Sequence, residues 1–133
     1  DAVAALGQVA RATAILRVLS IAVDAQQDGA AVFEDNGVAR WGPAVAAACA
    51  CVRSVRDPLN ETVDSPNNID WWTPLTILEG MDAALWHTGV HSDAGKLSED
   101  EFKVAAQVAM ESLAKMRQGI AQAAEELAVA EGA

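Results

Sequence analysis

The sequence predicts an all-α protein, and three observations carry that prediction. Alanine, the strongest helix former, makes up roughly a fifth of the 133 residues. The β-favouring aromatics are scarce: Tyr is absent and Phe occurs twice, although there are four Trp. Apolar residues near both ends of the chain recur at alternating intervals of three and four, the period of a helix face.

The first helix reads from about Ala2 to Gln27. Leu6, Val9, Thr13, Leu16, Ser20 and Val23 form one stripe, and Ile15, Val18, Leu19 and Ala22 add a second apolar face. Two such faces suit a helix sandwiched between partners. Asp28-Gly29 supplies its stop. Between Val32 and Trp41, Asp35-Asn36-Gly37 is flanked by apolar residues, which fits a short β-hairpin with a type I′ turn, the alternatives being a loop or a short helical turn.

Gly42-Pro43 opens a second helix with Pro at its first position, and Asp57-Pro58 ends or kinks it. Val45, Ala48, Val52, Val55 and Leu59 mark its core face. Cys49 and Cys51 stand two apart, about 200° around the axis, so they can neither bridge nor chelate together. Residues 60–72 read as a loop. Thr73-Pro74 starts the third helix with Thr73 as its cap; Leu75, Leu78, Met81 and Leu85 line it, and Gly89 stops it.

The fourth helix reads from about Ser98 to Val129. Ser98 and Glu101 form a capping box, and Leu97 and Phe102 a hydrophobic staple. Phe102, Ala106, Ala109, Leu113, Met116, Ile120, Ala123 and Leu127 then hold an a/d seam over about four heptads, with Glu111 and Lys115 paired outside. The expectation is one domain over residues 1–133, a bundle of about four helices with long first and last members pairing antiparallel.

Thirty-two helical residues span about 48 Å. A compact domain of this size is only roughly 35 to 40 Å across. A last helix that long overhangs a monomer unless it bends at Gly119, and an overhanging apolar seam calls for a second copy. A homodimer is therefore expected.

The composition excludes several classes. A net charge of -10 without any basic stripe disfavours direct nucleic acid binding. No apolar run is expected to approach the ~20 residues a membrane span needs; the best, Ile15 to Val23, is about nine long and carries Arg17. Two Cys make no disulfide framework. No phosphate loop or nucleophile motif is present, so neither cofactor nor catalytic residues are assigned, and a cytoplasmic setting without membrane contact is expected.

The charge is concentrated. Residues 57–101 hold ten acids against one base, Lys96, together with three of the four Trp and both His. Trp is enriched at interface hot spots, and one-signed charge steers encounter, so this third reads as an acidic, Trp-bearing face for a basic protein partner. The candidate contact residues are Asp70, Trp71, Trp72, Glu79, Asp82 and Trp86. The function expected is thus a non-enzymatic binding or regulatory module.

Two other readings compete. Glu79 and Asp82 share a helix face and precede His87 and His91, a set that could ligate a metal in a helical enzyme. The acids could also imitate nucleic acid and block a protein that binds it. Bland roles stand beside each: one Trp of the 71–72 pair packed into the core and the other over a loop, Trp86 at the core edge, Glu79 and Asp82 on a solvated face, and the histidines as helix-terminus partners. Arg40, Arg53 and Arg56 form the only basic cluster, placed to pair with the acidic middle.

Overall fold

The computed structural model describes residues 2–29, 37–61, 69–88 and 99–132. They form four helices: α1 (Ala2–Gln27), α2 (Gly37–Glu61), α3 (Trp72–Thr88) and α4 (Glu99–Gly132). No strand occurs among the described residues. Each helix packs on its chain neighbours, and α4 closes the ring against α1, so α1 and α3 lie on one diagonal and α2 and α4 on the other.

The side-chain contacts fix the directions. Gln27 and Asp24, late in α1, meet Asp100 and Lys103, early in α4. Arg53 and Cys49 of α2 face Glu79 and Asp82 of α3 in reverse order. Ile69, just before α3, lies 3.5 Å from where a side chain at Gly119 would begin. The result is an up-down-up-down bundle.

The heptad stripes become the core. Val9, Leu16 and Val23 of α1 are buried, as are Val45, Ala48, Val52 and Val55 of α2. Leu75, Leu78, Met81 and Leu85 join them from α3, and Phe102, Ala106, Ala109, Leu113, Met116 and Ile120 from α4. Removing a buried Leu from such a core costs about 2 to 5 kcal/mol. The second apolar face of α1 divides: Leu19 is buried and Ile15 packs at the core edge, while Val18 stays exposed.

Several boundaries differ from the sequence reading. Residues Val38–Trp41 belong to α2 rather than to a hairpin strand, and residues 30–36 lie outside the described ones. Pro43 is therefore an interior residue of α2, forfeiting one backbone hydrogen bond, and the helix also runs through Pro58 to Glu61. α3 begins at Trp72, capped by Asp70 instead of Thr73. Ser98 and Leu97, the expected cap and staple of α4, lie outside the described residues. Glu111 accepts a hydrogen bond from Gln107 Nε2 at 3.3 Å, not from Lys115.

Two other features follow expectation, the stop of α1 and the continuity of α4. α1 stops where Gly29 takes a φ of 100°, a left-handed conformation suited to glycine, with Asp28 N–H still donating to the Asp24 carbonyl. α4 continues unbroken through Gly119 for 34 residues, about 51 Å. One apolar stretch was underread: Val3–Ala25 is long and apolar enough, by length and composition, to cross a membrane. Alanines and a glycine join the apolar residues that Arg11 and Arg17 interrupt.

Candidate functional site

The expected site residues lie before and along α3. Asp70 accepts the Thr73 backbone N–H at Oδ1 (3.0 Å) and the Thr73 hydroxyl at Oδ2 (2.6 Å), satisfying one of the donors a helix start leaves open. Its carboxylate is thus held as a cap. Held by this turn, the next two residues diverge. Trp71 packs against the core, whereas Trp72 is 51% exposed. Their rings meet edge to face, centroids 5.5 Å apart at 89°, a favourable aromatic geometry. The exposed indole is therefore braced by a partly buried one.

Farther along α3, Glu79 and Asp82 turn toward α2 instead of open solvent. Arg53 reaches Glu79 Oε1 from Nη2 at 2.9 Å and from Nε at 3.3 Å, the pairing expected of the basic cluster. Both side chains are nearly half exposed, so the bridge contributes at most about 1 kcal/mol. The Arg53 guanidinium is held above its ordinary pKa by that hydrogen bond.

Asp82 differs. Its Oδ1 is buried and has no hydrogen-bond partner. An orphaned buried acceptor costs about 1 to 3 kcal/mol. Near it, the buried Cys49 thiol is pushed up to about 11, mainly by desolvation; Asp82 and Glu79 raise it further, while Arg53 opposes. Cys49 is consequently a neutral thiol at physiological pH and a poor nucleophile. Cys51 is partly exposed, and neither cysteine is in a disulfide.

The acids of the middle third do not all share one surface. Asp100 accepts from Gln27 Nε2 at 2.9 Å, and Lys103 donates to Gln27 Oε1 at 3.0 Å while bridging Asp24. This latch lies at the start of α4. Asp70 sits beside Ile69, near Gly119, which is nineteen residues or about 28 Å farther along that helix. The structure thus brings together Asp70, Trp71 and Trp72 at one end of α3, and Glu79 with Asp82 on its α2 side.

Trp86 and His87 lie in α3, but their side chains are outside the described ones, as is all of His91. Among the described residues no three His, Cys, Asp or Glu side chains gather where they could hold a metal. The part of this site that the sequence reading missed is Cys49. Nothing in the local pattern of α2 shows which residue of α3 it will face.

A second feature escaped the sequence reading altogether. Between α1 and α4 runs an open groove of about 460 Å³, lined by Ala10, Ala14 and Arg17 on one wall and Ala114, Arg117 and Ala121 on the other. Four alanines make the depression. Its signal in the sequence is that neither arginine has an acid three or four places away in its own helix. The chain matches no protein-family model, no curated protein and no solved structure.

Proposed function

We propose that the chain is a non-enzymatic, cytoplasmic protein-binding module that associates with itself and presents the α3 side of the bundle to a basic protein partner. The observation that carries this reading is Trp72: a half-exposed indole, braced edge-on by Trp71 beside the anionic Asp70. A rigid aromatic with adjacent negative charge is what a hot spot for a cationic surface needs, since the ring loses little conformational freedom on binding. Asp82 supports the same reading. Its orphan oxygen is a cost to folding, and such local costs are common where a residue serves binding. Glu79, partly exposed beside Arg53, extends the acidic character farther along α3, and Trp86 is kept as a candidate on its place in the sequence alone.

The test uses the wild-type protein, Trp72→Ala and Asp82→Asn as baits in a lysate of the source cells, each first checked for helix content by circular dichroism. We expect a discrete basic protein that the wild type retains and both folded variants lose. Equal retention by all three baits would remove the α3 surface from the mechanism.

A further inference from the structure

Arg17 and Arg117 stand on opposite walls of the α1–α4 groove, and neither makes an ion pair among the described residues. In a chain of net charge -10, two unpaired cations converging on an alanine-floored groove call for an anionic occupant. We infer that the occupant is the α4 helix of a second copy, packed antiparallel about a two-fold axis at Ala121.

The spacing along α4 supports that register. Ala114, Arg117, Ala121, Glu125 and Ala128 follow one another at intervals of three, four, four and three, a pattern that reads the same in both directions. Antiparallel pairing centred on Ala121 sets Ala114 opposite the second copy's residue 128, and Arg117 opposite its residue 125. Each Arg117 then meets a Glu125, twice per dimer, as an isologous interface requires. All the other facing positions are alanines, which allow two helix axes to approach at the short end of the usual 8 to 10 Å.

Glu125 is exposed and has no cation three or four places away in its own helix. Residues 122–132 carry Glu125, Glu126 and Glu131 and no base. Arg17, on the α1 wall, adds a second positive charge against that anionic segment. The contact over residues 114–128 is about 21 Å long. This inference rests on the proposed self-association and names its surface.

The test is sedimentation of the whole chain over a wide concentration range. We expect a wild-type dimer, at least tenfold weaker dimerisation for Arg117→Glu and for Glu125→Arg separately, and recovery in the variant carrying both changes. A wild-type monomer at all concentrations would overturn both self-association and this surface. A wild-type dimer indifferent to either single change, or not restored by the double change, would overturn this surface alone. Disulfide trapping gives a readout that does not depend on those variants folding. Ala121→Cys should cross-link across the axis under mild oxidation, and Val108→Cys, on the outer face of α4, should not; the reverse pattern would contradict the register.

Discussion

Thr73 donates twice to Asp70, from its backbone N–H at 3.0 Å and from its hydroxyl at 2.6 Å, and this pair starts α3. Asp70→Ala should therefore lower stability by about 1 kcal/mol, within the range for lost N-caps, and Asp70→Asn by less. Urea denaturation monitored by circular dichroism checks both. Equal midpoints for wild type and Asp70→Ala would show that the cap contributes nothing. Because the cap also orients Trp71 and Trp72, the same substitution should weaken partner binding through position as well as charge.

Asp82 carries the opposite expectation. Substituting alanine removes a buried oxygen without a partner and leaves a good helix former, so Asp82→Ala should raise stability by about 1 kcal/mol. A surface carboxylate would show only the helix-propensity gain, about 0.5 kcal/mol. Coupled with lost partner binding, a gain in stability would mark Asp82 as a residue kept for function at some cost to the fold.

Two glycines inside helices give a separate check on packing. A Cβ at Gly80 meets nothing within 4 Å, and one at Gly119 meets Ile69 Cγ1 at an ordinary 3.5 Å. Gly80→Ala and Gly119→Ala should each stabilise by about 0.5 to 1 kcal/mol. Gly29→Ala, at a φ of 100°, should destabilise, and by more than about 1 kcal/mol. Thermal denaturation of the three variants side by side reads the signs directly.

Cys49 predicts a pH dependence. In the unfolded chain the thiol ionises near 9.0, whereas burial holds it neutral in the fold until about 11. The unfolded state therefore releases its proton first as pH rises. The stability associated with Cys49 is complete below pH 9 and declines between pH 9 and 11. Cys49→Ala should flatten that part of the stability profile. In native protein at pH 8, iodoacetamide followed by mass spectrometry should find Cys51 labelled well before Cys49; equal labelling would mean the thiol is not enclosed.

The heptad stripes were legible because burial on one face of a helix leaves a period that local sequence preserves. Phe102 through Ile120 shows this best, with all six seam positions buried. Boundaries were less legible, since the same residues punctuate different structures. Asp35-Asn36-Gly37 suits a hairpin turn, but Asp, Asn and Gly are also residues that open helices, and α2 begins at Gly37. Pro43 and Pro74 both read as first helical residues. Pro74 is only the third residue of α3, where backbone donors lack helical partners anyway. Pro43 lies deeper, and α2 accommodates the missing bond.

For the site, the division of labour between Trp71 and Trp72 could be read as one ring inward and one outward. The meeting of Arg53 with Glu79 was foreseen only in type. Which turn of α2 faces which turn of α3 depends on helix register, and that is set by packing of the whole core. The α1–α4 groove is equally non-local: its alanines are scattered through two sequence segments that lie far apart along the chain.

The most direct test of the binding surface is isothermal titration of the captured partner against wild type and Trp72→Ala, with urea midpoints measured on the same preparations. We expect the indole's removal to weaken binding at least tenfold, about 1.4 kcal/mol, while stability falls by no more than the roughly 1 kcal/mol that the ring contact with Trp71 contributes. Unaltered affinity would remove Trp72 from the interface, and a fall in stability well beyond that ring contact would show that it serves the fold rather than a partner.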